Sequence, residues 1–193
     1  MDKKSIKGTN TEKNLLKSFA GESQARGRYT IFAEVAQQEG YEQIAAIFLE
    51  TAAQEYAHAK KFFSYLEEGM LEITASYPAG PVGSTAQNLK EAAAGEHEEW
   101  ADMYLEFARV AKEEGFPEIA SNFKLVASVE QGHEARYLKL LERLMSDTAF
   151  NDSEDVEWQC RYCGYIHRGK SAPKKCPVCG KEQGYFERKK DNY

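Results

Sequence analysis

Two Glu-x-x-His pairs are the residues of this 193-residue sequence whose types and spacing first suggest chemistry: Glu55 with His58, and Glu130 with His133. Residues three apart share one face of an α-helix, so each pair can direct a carboxylate and an imidazole at the same metal ion. One such pair is common on helix surfaces. Two pairs at matching positions of an internal repeat, 75 residues apart, predict a metal site, because charged groups inside a bundle are costly unless paired or metal-bound.

Two further glutamates complete this pattern. Glu22 in the first predicted helix and Glu96 in the third each follow a glycine. One Glu from each of two helices, with a Glu-x-x-His pair from each of the other two, resembles the ligand set of ferritin-like di-iron bundles. Neighbouring irons need anionic bridges, and hard carboxylates suit iron. We therefore assign the bridges to Glu55 and Glu130, each of which lies beside a terminal histidine.

Two tyrosines, Tyr29 and Tyr104, also occupy matching positions of the repeat. Core packing is one reading of this match; we favour the other, in which each hydroxyl hydrogen-bonds a carboxylate of the metal site. Glu22 precedes Tyr29 by 7 residues, whereas Glu96 precedes Tyr104 by 8. Since one extra residue turns an ideal helix by about 100°, we predict a π-bulge between Glu96 and Tyr104 that absorbs it.

All four cysteines lie near the end of the chain, in two Cys-x-x-Cys pairs: Cys160 with Cys163, and Cys176 with Cys179. Two such knuckles place four thiolates around one tetrahedral metal, and geometry alone allows zinc or iron. No cysteine remains to cross-link the rest of the chain. The pattern therefore favours a metal site in a reducing cytoplasm over a disulfide framework.

Helix signals in the first 150 residues predict a mainly α protein, a ferritin-like four-helix bundle with one long crossover. Capping-box patterns start the first helix at Thr9 and the third near Ser84, and glycines end three of the four. The 14-residue connection 71–84 is long enough to travel the length of the bundle. The predicted helices run from 9 to about 39, 41 to 68, 84 to 115 and 117 to about 145.

The predicted domains are a bundle over residues 1–148 and a small β/knuckle domain over 149–193, joined by a polar linker at about 146–157. The net charge is −6, divided as −8 before residue 151 and +2 after it, which argues against nucleic acid as a partner. No signal peptide and no apolar run of membrane-spanning length is legible. We therefore expect a cytoplasmic protein.

The cysteine motifs, Cys-x-x-Cys-Gly-Tyr and Cys-Pro-x-Cys-Gly, closely resemble rubredoxin, whose metal is iron. With the di-iron pattern ahead of them, residues 11–186 resemble the rubrerythrin family. The resemblance implies a non-haem peroxidase that reduces hydrogen peroxide to water and protects against oxidative stress. It implies a carboxylate-bridged di-iron centre held by Glu22, Glu55, His58, Glu96, Glu99, Glu130 and His133. It implies one further iron on Cys160, Cys163, Cys176 and Cys179.

The same resemblance implies partners and roles. Electrons would come from a cytoplasmic donor, such as a rubredoxin or an NADH-dependent reductase, and the chain would form a head-to-tail homodimer. Glu99 and His58, with Tyr29 and Tyr104, are the candidate catalytic residues. A ferroxidase or iron-storage protein is the alternative, since ferritins share the bundle and ligands. A structural zinc protein without redox chemistry is the third hypothesis.

Glu99 has no mate in the repeat, because the matching place after Glu22 holds Gln24 or Ala25. It lies three residues after Glu96, on the same helix face. By resemblance its rival for a metal position is His58. A ferric ion favours the harder carboxylate and a ferrous ion tolerates imidazole. We therefore expect Glu99 bound in the oxidised state and His58 in the reduced one; the alternative is a buried, hydrogen-bonded Glu99 that never binds metal.

Overall fold

A computed structural model describes residues 4–191 and confirms a mainly helical, ferritin-like bundle followed by a small sheet. The third predicted helix comprises two α-helices joined by a π-helix. The bundle elements are α1 (Asn10–Gln38), α2 (Glu42–Phe63), α3 (Thr85–Glu98), the π-helix (Glu99–Met103), α4 (Tyr104–Glu113) and α5 (Pro117–Met145).

Tight turns and side-chain caps define the helical hairpins. Gly40 and Gly115 adopt φ values of 81° and 83° between α1 and α2 and between α4 and α5, a region that glycine enters without steric cost. The Ser84 box is complete, with both reciprocal bonds to Gln87. At the start of α1, the hydroxyl of Thr9 accepts from the N–H of Glu12. The Glu12 carboxylate, however, bonds the N–H of Gly8, so that predicted box is only half formed.

Helix α2 ends at Phe63, five residues before the predicted end at Glu68. The cause lies in Glu67, whose carboxylate accepts from the N–H of Ile6 at 3.1 Å and from the hydroxyl of Ser5 at 2.8 Å. These bonds tie the start of the chain to the segment after α2 and draw Glu67 away from helical geometry. The prediction of a helix to Glu68 was therefore wrong, and the crossover between α2 and α3 is longer than expected.

Two apolar clusters fill the bundle, one on each side of a layer of buried carboxylates. Tyr29, Phe48 and Tyr137 belong to the first cluster, and Phe62 and Tyr104 belong to the second. α1 pairs with α2 in the first half of the repeat, and α3 and α4 pair with α5 in the second half. The halves meet around this layer where α1 contacts α3 and α4 and where α2 contacts α5. The apolar clusters therefore position the buried polar groups described below. No helix in the described chain is long and apolar enough to cross a membrane.

The residues after the bundle form a three-stranded antiparallel sheet in the order β2-β1-β3. Its small core contains Trp158 and Phe186, and the indole N–H of Trp158 donates to the carbonyl of Gly169. Strand β1 begins at Asn151, so the predicted linker to residue 157 was too long. The strands are β1 (Asn151–Cys160), β2 (Ile166–Ser171) and β3 (Phe186–Arg188), with a short 3₁₀ helix at Gln183–Tyr185.

The small module packs against the turn between α1 and α2. The ring of Tyr41 stacks on that of Phe150 with centroids 5.9 Å apart and planes 4° from parallel. Gly184 lies so close to Gly40 that a Cβ at position 184 would collide with the Gly40 carbonyl. The backbone itself therefore requires glycine at 184 for this contact.

Candidate metal centres

Four helices bring the predicted ligands to one place in the middle of the bundle. α1 contributes Glu22, α3 contributes Glu96, and the carboxylates of both are fully buried. α2 and α5 each contribute a Glu-x-x-His pair on their inward face. The side chains of Glu55 and Glu130 are also fully buried, and His133 is 4% exposed. Six of the seven predicted ligands thus meet, as the spacing predicted.

These six residues form two compact groups that share Glu55 and Glu130, here called the shared carboxylates. Ligand atoms of Glu22, Glu55, His58 and Glu130 lie within 4.8 Å of one another, and so do those of Glu55, Glu96, Glu130 and His133. Each shared carboxylate turns one oxygen toward each histidine. These geometric relations are those that two metal ions bridged by two carboxylates require.

The distances within the groups are regular. Nδ1 of His58 lies 2.9 Å from Oε1 of Glu130 and 3.1 Å from Oε2 of Glu55. Nδ1 of His133 lies 2.7 Å from Oε2 of Glu130 and 3.1 Å from Oε1 of Glu55. Both imidazoles therefore present the same ring nitrogen to the cluster.

The buried atoms of the cluster fit a pair of cations. Among the described residues, both oxygens of Glu130, one oxygen each of Glu22, Glu55 and Glu96, and Nδ1 of His133 are buried and make no well-aligned hydrogen bond, although carboxylates and imidazoles lie at ion-pair distance from one another. Buried polar atoms normally have a hydrogen-bond partner, and buried charges are paired or coordinate metal. Carboxylate oxygens with imidazole nitrogens suit iron, so the donor set fits a di-iron centre.

The two predicted tyrosines reach the cluster crosswise. The hydroxyl of Tyr29 on α1 donates to Glu96 on α3 at 2.6 Å, and the hydroxyl of Tyr104 donates to Glu22 on α1. Burial and the nearby carboxylates raise the pKa of both hydroxyls well above the ordinary value. Both therefore remain protonated donors, and the geometry agrees with the hydrogen-bonding role rather than with packing alone.

The predicted π-bulge is confirmed. The N–H of Tyr104 donates to the carbonyl of Glu99, five residues earlier, at the end of the π-helix Glu99–Met103. The insertion absorbs the extra residue between Glu96 and Tyr104, so both face the cluster although their spacing is one residue longer than that of Glu22 and Tyr29.

Glu99 lies beside the cluster but outside the two compact groups. Burial, and then the charges of Glu22 and Glu96, raise its pKa well above the ordinary value. In the first half of the repeat, Gln24 has turned away and accepts a hydrogen bond from Arg28 at 2.8 Å. The asymmetry that the sequence indicated is therefore present in the structure.

Burial and contacts with one another shift the pKa values of the other ionisable groups of the cluster. Burial raises the pKa of Glu22 well above its ordinary value and raises that of Glu96 to about 8. Burial also disfavours the Glu55 anion, but bonds from His133 and His58 outweigh it and lower its pKa to about 2. Burial opposes charge on His133, yet the carboxylates outweigh it and raise its pKa to about 12, and the pKa of His58 is raised in the same way.

We expect metal uptake by this cluster to release protons and to tighten as the pH rises. Ligands bind metal in their deprotonated forms, so at pH 7 roughly two or more protons must leave. Glu96, with a pKa of about 8, and His133, with a pKa of about 12, are among the groups that lose them. Calorimetry with zinc in buffers of different ionisation enthalpy, after the cysteine site is filled, counts these protons. An affinity independent of pH would contradict the prediction.

Sequence reasoning missed Tyr77 on the crossover and Gln54 on α2. The Tyr77 hydroxyl donates to the carbonyl of Lys17 at 2.7 Å, and its ring lies 3.5 Å from where a Cβ on Gly21 would stand. Tyr77 thus covers the helix beside Glu22. The glycine before Glu22 was the sequence feature that could have indicated this close approach. Gln54 contacts His133. The sequence feature that could have indicated its role is that the matching position of the repeat holds no polar residue.

The four cysteines form a second compact group, with sulfur atoms within 4.8 Å of one another. Cys160 and Cys179 are 3.8 Å apart, and Cys163 and Cys176 are 3.6 Å apart. Burial disfavours the Cys176 thiolate, but the N–H groups of Cys179 and Val178 outweigh it and lower its pKa to about 7. All four thiols are free and placed for one tetrahedral ion.

Comparisons with known proteins agree with both centres. The family model Rubrerythrin matches residues 13–141, and the model Rubrerythrin, rubredoxin-like domain, matches residues 158–187. Rubrerythrin of Porphyromonas gingivalis is 62% identical over 190 residues, which cover 98% of this chain and 95% of that protein. Rubrerythrin of Nitratidesulfovibrio vulgaris is 48% identical over 184 residues, covering 95% and 96%.

Solved structures agree as well. Nigerythrin in a mixed-valence state has a TM-score of 0.63 at 34% identity, over 97% of this chain and 90% of that one. Nigerythrin has also been solved in a fully reduced, all-ferrous state, with a TM-score of 0.64. The Glu/His cluster and the four-cysteine group of this chain fit the iron sites of such proteins.

Proposed function

This chain belongs to the rubrerythrin family, and we propose that it is a non-haem peroxidase that reduces hydrogen peroxide to water and protects the cell from oxidative stress. The observation that carries the proposal is the pair of shared carboxylates, each facing both histidines, in a chain that also holds a four-cysteine group. We propose Glu22, Glu55, His58, Glu96, Glu99, Glu130 and His133 as the di-iron ligands, and Cys160, Cys163, Cys176 and Cys179 as ligands of the single iron.

The reaction consumes two electrons and two protons for each peroxide and gives two water molecules. When bound, the two irons supply one electron each. Glu99 is the candidate proton carrier, because burial and the neighbouring carboxylates raise its pKa well above the ordinary value and so favour its protonated form. Tyr29 and Tyr104 hold Glu96 and Glu22 in place through their hydroxyls. His58, whose side chain is 14% exposed, lies at the accessible edge of the cluster.

We further propose that electrons return through the cysteine-bound iron from a rubredoxin or an NADH-dependent reductase in the cytoplasm, within a head-to-tail homodimer. The charge division supports docking of a small module of one chain on the bundle of another, since residues 1–150 carry −8 and residues 151–193 carry +2. The domain boundary between residues 148 and 149 also remains a proposal.

The test is NADH oxidation by the iron-loaded protein with an added reductase and hydrogen peroxide. We expect one NADH consumed for each peroxide. Glu55→Gln should abolish this turnover by removing a shared carboxylate, whereas Glu34→Gln, at an exposed position of α1, should preserve it. An iron-loaded protein that leaves peroxide unchanged, but oxidises ferrous ions with oxygen and stores them in a hollow shell, would favour the ferroxidase alternative.

A further inference from the structure

The two histidines of the cluster differ on their outward-facing side. Nε2 of His133 lies 2.9 Å from the side-chain oxygen Oε1 of Gln54. Nε2 of His58 has no such contact with any described residue, and that ring is the more exposed, at 14% against 5% for His133. One imidazole is thus held from both sides, and the other only from the cluster side.

Arg136 determines which atom of the Gln54 amide faces His133. A guanidinium can only donate hydrogen bonds, so the Gln54 atom that it contacts at 3.3 Å must be the oxygen. The same oxygen lies against Nε2 of His133, which must therefore carry a hydrogen and donate it. Nδ1 is then the nitrogen whose lone pair is available to a metal.

Arg136 is in turn held by α2. Its guanidinium donates to the carboxylate of Glu50 at 2.6 Å and to the hydroxyl of Thr51. Glu50, Thr51 and Gln54 lie on one face of α2, and Arg136 lies three residues after His133 on α5. The network therefore joins the two Glu-x-x-His helices and fixes the amide from a partly exposed position outside the cluster.

The internal repeat shows why His58 has no such network: the residues at the matching positions near His58 are of other types. A shift of 75 residues puts apolar Leu125, Val126 and Val129 where Glu50, Thr51 and Gln54 stand, and Lys61 where Arg136 stands. None of the three aliphatic side chains can accept a hydrogen bond from an imidazole N–H. The ligand set is nearly symmetric, but its support is not.

We propose that Gln54, oriented by Arg136, is a positioning residue that locks His133 into the tautomer whose Nδ1 lone pair can bind metal, a support that His58 does not have. The inference rests on the proposed metal site and deepens it. Partners of this kind orient metal-bound histidines, and their loss typically weakens metal affinity about 10- to 100-fold.

The test uses the full chain. The four-cysteine site is first filled with iron, and zinc is then added to the Glu/His cluster. Nitrogen-15 NMR of the imidazoles reports the tautomer and the exchange of each Nε2 proton. In the unmodified protein we expect a protected Nε2 proton on His133 and none on His58. Gln54→Leu should expose the His133 proton to exchange and raise the zinc dissociation constant about 10- to 100-fold.

Gln54→Glu keeps an acceptor between His133 and Arg136, so it should retain the protected proton and stay within about threefold of the original affinity. Val129→Leu, at the mate of Gln54 in the repeat, is the control and should change neither quantity. If folded Gln54→Leu keeps both the protected proton and the affinity, the proposal is overturned. The NMR and zinc-affinity measurements need no peroxide. A protein that does not react with peroxide would therefore contradict the proposed function without affecting this test.

Discussion

Replacing Cys163 by serine should reduce donor-driven peroxide turnover by roughly a hundredfold or more, because the relay iron loses a thiolate that sets its potential. Cys163 is the exposed member of its knuckle, so its sulfur is a point at which an electron can enter or leave the site. The substitution lies in the small module and changes none of the seven proposed di-iron ligands. Oxidation of a pre-reduced di-iron centre by one equivalent of peroxide should therefore proceed at an unchanged rate.

Comparing steady-state turnover with single-turnover oxidation isolates the contribution of the cysteine-bound iron. Steady-state NADH oxidation with a reductase measures the complete path, and stopped-flow mixing of the reduced protein with peroxide measures the di-iron step alone. Tyr162→Phe is the matched control, since Tyr162 is the exposed neighbour of Cys163 and its ring contact with Lys181 remains. Full steady-state activity in Cys163→Ser would show that electrons reach the bundle by another path.

The features that could be predicted from the sequence depend on one helix or one turn at a time. Each Glu-x-x-His pair and each Cys-x-x-Cys knuckle is local. The geometry of a single helix or turn is enough to show that its two side chains project to the same side. The π-helix was also predictable, because the two halves of the repeat count 7 and 8 residues between equivalent groups. A count of this kind needs no knowledge of tertiary structure.

The features that could not be predicted depend on contacts between distant segments. The end of α2 depends on bonds from Glu67 to Ser5 and Ile6, about sixty residues away. The polar residues at the start of β1 resemble a linker, yet pairing with β2 at Asn151 and Ser171 makes them a strand. Gln54 is an ordinary helix residue until Arg136 and His133 approach it from α5. The secondary-structure propensities of the local sequence do not reveal any of these long-range interactions.

Oxidation should exchange His58 for Glu99 at one iron, and reduction should reverse the exchange. In the structure, Nδ1 of His58 lies within 3.1 Å of both shared carboxylates, and Glu99 lies outside the compact groups. Glu99 directly follows α3 and lies near Glu22 and Glu96, whose charges help to raise its pKa. A harder ferric ion would favour the anionic oxygen over imidazole.

Two variants test this exchange through its consequences. Glu99→Gln replaces the anionic oxygen by a neutral amide, so His58 should remain bound in both states and turnover should fall about a hundredfold, within the range for loss of a positioned proton carrier. Glu98→Gln is the matched control, because Glu98 is the exposed neighbour of Glu99 and should leave turnover unchanged. The variant should still bind two irons, since Glu22, Glu55, Glu96 and Glu130 are retained.

Crystal structures of the iron-loaded protein in both oxidation states, from one crystal form, decide the ligand exchange directly. Unsupported on its outer side, His58 can leave its position without breaking a second hydrogen bond, whereas His133 would have to give up Gln54 at 2.9 Å. The exchange should therefore occur at the His58 iron and never at the His133 iron. An iron that keeps His58 in both states, with Glu99 unbound throughout, would end the proposal and leave Glu99 as a half-buried proton carrier.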